Sequence, residues 1–200
     1  MSDRFSVVSF AQWKPGETPD VSFVPPLNRR RLSLLQRGTF ALGHALGEPA
    51  AKLPVFFSSR DGEDTLTRKQ VELFNATGEV SPGKFSSSVY NAAPGLLSIS
   101  TGNVEPYTAL AAGEETVEAG LLDALMFGGE CVWIYAEETG GGYGCAAHFA
   151  PVGRGGAEIR TDFSGLGATG APLYYSDAVG FFAGEKQILK GRYLTLNRCG

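Results

Sequence analysis

The chain has 200 residues, of which 43% are hydrophobic and 19% charged, and its formal net charge is −4. The length suits one ordinary domain, and this composition excludes an intrinsically disordered chain. The mild acidity argues against nucleic-acid or anionic-membrane partners, which require a basic surface. Three cysteines are too few and too sparse for a disulfide framework, so we expect a reducing, cytoplasmic location.

The first third of the chain predicts a strand, a helix and a second strand. Alternating residues over 5–10 form the first strand, and a proline-rich loop covers 15–27. Asn28 is a suitable N-cap for a helix that continues to Leu46. The short apolar run over 53–59 is typical of a buried parallel strand.

The middle of the chain predicts two helices, a strand and a third helix. The first helix begins at Asp64 or Thr65, and we expect four of its side chains to face the core: Leu66, Val71, Leu73 and Phe74. A buried helix follows over 91–99, then a strand over 107–112 and a helix over 114–126.

Residues 131–136 form the clearest central strand. Strands that alternate with helices predict an α/β fold, layered α/β/α around a mostly parallel sheet.

The last third of the chain has a different composition. A glycine-rich stretch with weak periodicity covers 140–170, a short helix is expected within 173–183, and residues 187–190 and 192–196 predict a closing hairpin. We therefore expect a core over residues 1–137 and an extension over 138–200 that packs on the same domain.

Two motifs favour ordinary structure over ligand binding. Gly165–Gly170 matches G-x-G-x-x-G, but Pro172 would break the helix that should hold a pyrophosphate, so a flexible loop is expected. Cys145 and His148 have a metal-like spacing, with Cys131 as a distant third ligand, whereas structural zinc needs four. We expect no metal and no cofactor.

Two groups of segments together resemble a known family. The first is Ser58–Glu63 with Ser81–Gly95, and the second is Thr108–Glu115 with Gly128–Cys131. They are similar to the N-terminal half of a β-ketoacyl synthase, in the short subfamily of bacterial aryl polyene and related type II polyketide clusters. The resemblance covers roughly residues 5–137. It implies a truncated thiolase-like fold that corresponds to the N-terminal half of a ketosynthase.

The resemblance also implies that the catalytic nucleophile is missing. In ketosynthases an Ala-Cys pair follows the strand and opens a buried helix; here the Ala falls on Ala112 and the Cys on Gly113. The two catalytic histidines of the family belong to a C-terminal half that this chain does not match. The resemblance therefore implies a chain that is not an autonomous condensing enzyme.

An inactive ketosynthase-like chain resembles a chain length factor, which forms a heterodimer with an active β-ketoacyl synthase and closes and shapes its acyl tunnel. The resemblance implies an interface on the strand that follows the helix: Cys131, Val132, Trp133, Ile134 and Tyr135. It also implies that five residues line the tunnel: Leu110, Val117, Leu121, Leu122 and Met126.

The one concentration of positive charge suggests a further partner. Arg29, Arg30 and Arg31 lie at the expected start of a helix, where cations oppose the helix dipole, so an acidic acyl carrier protein could be their binding partner. Two alternatives remain open. One is a free-standing acyl-transferring or condensing enzyme that uses Cys131, Cys145 or His148, and the other is a binding module without a polyketide role.

Overall fold

The computed structural model describes residues 4–162 and 170–199. Its eight strands form one mixed sheet in the order β3-β2-β4-β5-β1-β6-β8-β7. The strands are β1 (Arg4–Trp13), β2 (Val55–Ser58), β3 (Tyr107–Leu110), β4 (Cys131–Glu137), β5 (Tyr143–Pro151), β6 (Ala157–Asp162), β7 (Ile188–Lys190) and β8 (Thr195–Arg198).

Within these described residues, eight α-helices connect and cover the sheet. They are α1 (Pro26–Arg29), α2 (Leu34–Leu46), α3 (Glu48–Lys52), α4 (Asp64–Thr77), α5 (Pro82–Ser88), α6 (Ala92–Thr101), α7 (Thr116–Phe127) and α8 (Tyr175–Phe182). A 3-10 turn, Gly113–Glu115, precedes α7.

Two apolar cores lie on the two faces of the sheet. One contains side chains of α2 and α6, including Leu35 and Leu97, and the other contains side chains of α7 and α8, including Leu121 and Phe181. The structure therefore confirms an α/β fold with helices on both faces.

The expectation of a mostly parallel sheet is wrong. Of the seven neighbouring strand pairs that the structure describes, β2–β3 and β2–β4 run parallel and the other five are antiparallel. The change of direction occurs at Gly140, Gly141 and Gly142, which all have positive φ angles between 66° and 89°. Glycine adopts these angles without steric cost, so the chain can reverse tightly and run back beside β4.

The glycine-rich region contains a central strand that the sequence did not predict. β5 pairs with β4 on one side and with β1 on the other, so the sheet continues across residue 137. Gly144 is needed there because a Cβ atom at this position would lie 2.6 Å from the carbonyl oxygen of Tyr135.

The inward face predicted for α4 is wrong in part. Val71 is 53% exposed and Phe74 is 55% exposed, whereas Gln70 is the buried residue of the helix. Together α4 and α5 form an arm on the outside of the domain, which we define as Asp64–Ser88. The arm is fixed near its ends, where the backbone N–H of Thr65 donates to Glu138 and the Thr67 hydroxyl donates to the carbonyl of Ser88.

The long helix predicted from Asn28 is divided. Ser33 is the N-cap of α2 and forms a capping box with Gln36, so Arg29 lies in the last turn of the short α1. A basic residue there is favourable with the helix dipole, contrary to the expectation for the arginines. Among the described residues, no helix is long and apolar enough to cross a membrane.

Candidate functional site

The parallel strands β2, β3 and β4 have their carboxyl ends on the same side of the molecule, and ligand sites in α/β folds form at the carboxyl ends of such strands. β3 leads there into the turn at Gly113, whose φ angle is +57°. Thr116 fixes this turn because its hydroxyl accepts the N–H of Ala112 at 3.0 Å and donates to the carbonyl of Gly113 at 2.7 Å. A Cβ atom at Gly113 would meet nothing within 4 Å.

A cavity of about 390 Å3 lies beside this turn. One wall of it is aromatic, with Tyr135 and Tyr143 from the sheet and Tyr175 from α8, and Arg60 also borders the cavity. The ring centroids of Tyr143 and Tyr175 are 4.9 Å apart. Sequence reasoning did not predict this cavity, because the residues that line it come from segments far apart in the chain, and Tyr143 and Tyr175 lie beyond residue 137.

A buried carboxylate organises the loop after β2. Glu137 accepts the hydroxyl of Ser59 at 3.0 Å and the backbone N–H of Asp61 at 3.3 Å, and it also accepts the backbone N–H of Arg60. Burial raises the pKa of Glu137, and these three hydrogen bonds oppose that shift. The carboxylate therefore holds Arg60 where it borders the cavity.

A second buried carboxylate attaches the C-terminal segment to α7. Glu118 accepts backbone N–H groups from Arg192 at 3.0 Å and Leu194 at 2.8 Å, and also from Tyr193. Glu115 forms an ion pair with Arg192. Acidic residues in the first turn of a helix ordinarily complement the helix dipole, and nothing local in the sequence indicates that the partners of these two lie more than 70 residues away.

The structure separates the five residues offered as tunnel-lining. Val117 borders the cavity beside Gly113, and Leu121 is fully buried in the core below it. Leu122 packs partly buried against the same core, and Leu110 is half-buried on β3. Met126 lies at the end of α7 and is 56% exposed.

The interface predicted on Cys131, Val132, Trp133, Ile134 and Tyr135 is wrong. These residues belong to β4, which pairs with β2 on one side and β5 on the other, and all of them are buried. Both edges of β4 are already hydrogen-bonded, so this strand has no edge left for a partner. Among the described strands, β3 is the outermost at this end of the sheet, and its outer side is unpaired.

The alternative nucleophiles are poorly placed for catalysis. Cys131 and Cys145 are fully buried, and burial raises the pKa of both thiols, that of Cys131 to about 12. A buried thiol with a raised pKa supplies little thiolate near neutral pH. His148 is also buried, with its Nε2 atom 3.0 Å from Glu130.

The metal-like and nucleotide-like motifs are not assembled into sites. Cys145 and His148 lie three residues apart on β5, so their side chains point to opposite faces of the sheet. Within residues 4–162 and 170–199, no three His, Cys, Asp or Glu side chains could together hold a metal ion. Most of Gly165–Gly170 lies outside the described residues. The other of the two histidines in the sequence, His44, stacks on Phe23, and the two ring centroids are 3.8 Å apart.

The three arginines form a basic turn between α1 and α2. Arg30 and Arg31 are exposed and Arg29 is half-buried. Arg37 stabilises this turn because its guanidinium donates to the carbonyls of Arg29 at 3.1 Å and Leu32 at 3.2 Å.

Comparison with known proteins agrees with this fold. Residues 7–130 match the family described as the N-terminal domain of β-ketoacyl synthases. The match spans more than half of the chain, and the protein belongs to this family. No curated protein is similar enough in sequence to match.

A solved structure is similar over nearly the whole chain. It is described as the ketosynthase ApeO in complex with its chain length factor ApeC, from Xenorhabdus doucetiae. The TM-score is 0.75 at 16% identity, and the alignment covers 98% of this chain and 99% of the matched chain. At this identity the similarity establishes the shared fold.

Proposed function

We propose that this protein is a non-catalytic, chain-length-factor-like subunit that pairs with an active β-ketoacyl synthase in type II polyketide or aryl polyene biosynthesis, and that it acts in the cytoplasm. The observation that carries the proposal is the turn at Gly113. Its backbone is held as a strand-to-helix turn beside a cavity. The sequence resemblance assigns the position of the family's nucleophile to Gly113, and a glycine has no side chain that could attack a thioester.

The open edge of β3 supports a partner subunit. The N–H of Val55 donates to the carbonyl of Pro106, and the N–H of Ser59 donates to that of Leu110. Because backbone groups alternate along a strand, Tyr107 and Ala109 direct their N–H and C=O groups away from β2. Among the described residues no strand pairs with this edge, and an open edge is a template for strand pairing with another chain.

Exposed apolar side chains occur on the two helices that pack beside β3. Ile99 of α6 is 79% exposed, and Met126 of α7 is more than half exposed. Burying such side chains is favourable by about 25 cal/mol per Å2 of apolar surface, so they suit a lasting interface. We propose that β3 with these two helices, rather than β4, forms the partner interface.

The cavity beside Gly113 suggests how the subunit shapes a tunnel. We propose that Val117 and the aromatic wall limit the space available to a growing acyl chain, with Leu121 behind them. This cavity is not bordered by Leu110, Leu122 or Met126, and we propose that these three residues support the β3 interface instead. We further propose that Arg29, Arg30 and Arg31 contact an acidic acyl carrier protein.

Co-purification with a β-ketoacyl synthase encoded by a neighbouring gene tests this proposal. The expected result is one heterodimer peak by size-exclusion chromatography with light scattering. Ala109→Pro removes an outward N–H from the edge without removing a bond to β2, and we expect it to abolish the heterodimer while the chain stays folded. Ala109→Val keeps that N–H and is the matched control. A heterodimer that survives Ala109→Pro would contradict the β3 interface.

A further inference from the structure

The base of the arm is closed by one side chain of α2. The Nε2 atom of Gln36 donates to Glu63, directly before the arm, at 2.8 Å, and to the carbonyl of Ser87, near the other end of the arm, at 3.2 Å. Gln36 is fully buried, and its Oε1 atom accepts the N–H of Ser33 at 3.1 Å, which fixes the orientation of the amide. One amide group therefore connects both ends of the arm to the body of the domain.

The arm buries little apolar surface of its own. Gln70 is the buried residue of α4, and no residue of the described helix α5 is buried. A cavity of about 420 Å3 lies between α5 and the body, with Phe40 and Leu96 on the body side and Ser86 on the arm side. Segments with few buried apolar contacts open locally at a low cost in free energy. The hydrogen bonds at the base therefore decide whether the arm is docked.

The surroundings of Glu63 favour its neutral form. Its Oε1 atom accepts from Gln36, and its Oε2 atom is buried with no hydrogen-bond partner among the described residues. The groups that face it are Ser33 and Gln36 of α2, both neutral, and Glu138 after β4, which accepts the N–H of Thr65 in the arm. Burial, together with the charge of Glu138, raises the pKa of Glu63 to about 7. An ionised Glu63 is hydrated only when these elements separate.

We propose that Glu63 is a pH-controlled clamp on the arm: the arm stays docked while the carboxyl is neutral, and it opens as a unit when the carboxyl ionises. Opening hydrates the carboxylate, moves it away from Glu138, breaks the hydrogen bond from Gln36 to Ser87 and uncovers the cavity beside α5. Once undocked, α4 and α5 have only 14 and 7 residues, and isolated helices this short are marginal in water, so their N–H groups exchange with solvent. The clamp does not depend on the proposed function.

Hydrogen exchange measured by mass spectrometry tests the clamp on the full chain. Glu63→Gln keeps a carbonyl oxygen that accepts from Gln36 and cannot ionise. With a pKa of 4.5 for the hydrated carboxyl and about 7 for the buried one, the opening equilibrium of the native arm increases about a hundredfold between pH 4.5 and 8. We expect arm peptides of the two proteins to exchange at nearly equal rates at pH 4.5, and about a hundredfold faster in the native chain at pH 8. Equal rates at both pH values would overturn the proposal.

Low concentrations of urea distinguish opening of the arm from unfolding of the whole domain. Local opening exposes little surface, so exchange of the arm peptides should not respond to urea below the unfolding transition, whereas peptides of β4 exchange through global unfolding and should accelerate. Glu79→Gln, at an exposed position within the arm, is the matched control and should follow the native chain at every pH. Arm peptides with the same urea dependence as β4 peptides would also overturn the proposal, because Glu63 would then affect global stability alone.

Discussion

Glu63 gives the stability of this protein a specific pH dependence. Its carboxyl is 2% exposed; one oxygen accepts a hydrogen bond from Gln36 at 2.8 Å, and the other has no partner. Burial raises the pKa of Glu63 to about 7, from 4.5 in the unfolded chain. The folded state therefore binds more protons than the unfolded state between these two values, so stability falls as pH rises through that window.

A pKa raised from 4.5 to about 7 corresponds to about 3 kcal/mol of stability lost above pH 7. Glu63→Gln keeps an acceptor for Gln36 and cannot ionise. We expect this variant to be more stable than the native chain by up to about 3 kcal/mol at pH 8, with a much smaller difference at pH 4.5.

Urea denaturation of both proteins between pH 4.5 and 8 measures this effect. Glu105→Gln, at an exposed position, is the control and should leave the pH profile unchanged. Parallel pH profiles for Glu63→Gln and the native chain would refute the reasoning, because they would show that Glu63 ionises alike in the folded and unfolded states.

Two further predictions concern the turn at Gly113 and the segment that lies over α7. Gly113→Cys places a thiol in open space, at a strain cost of about 1–2 kcal/mol for the positive φ angle. Mass spectrometry after iodoacetamide treatment should show one more adduct on this variant than on the native chain. An unchanged number of adducts would show that the position is closed. Glu118→Gln removes the charge to which three backbone N–H groups donate, and it should lower the free energy of unfolding, measured by urea denaturation, by about 3 kcal/mol. The control, Glu114→Gln at an exposed position, should have little effect. Equal stability of these two glutamine variants would contradict the role of Glu118.

Local pattern in the sequence predicted much of the fold. The apolar run at β2 and the apolar strand at β4 are confirmed, since a continuous apolar run is typical of a strand that is buried on both faces. The family resemblance over residues 5–137 is confirmed by the match over 7–130.

The remaining features depend on contacts between distant segments. β5 contains no Val, Ile or Thr, the β-branched residues typical of strands, and the close approach of the Tyr135 carbonyl explains Gly144. Val71 and Phe74 follow helical spacing, which predicts an apolar face but not what covers it. The pattern of β4 shows that the strand is buried, yet only the register shows that both of its edges are taken within the chain.

The sequence predicted one position of the candidate site but not the residues that surround it. The resemblance indicated Gly113, but its surroundings come from four segments that meet only in the folded chain, including Arg60, Tyr143 and Tyr175. Glu118 likewise gains its role from the distant backbone of 192–194, which no local spacing can indicate.

The central claim is that this chain assists a condensing enzyme without forming the acyl intermediate itself. The most direct measurement is intact-mass spectrometry of the purified heterodimer after incubation with an acyl-loaded carrier protein. The account predicts an acyl adduct on the β-ketoacyl synthase and none on this chain. An adduct on this chain would contradict the account and would favour a free-standing acyl-transferring enzyme.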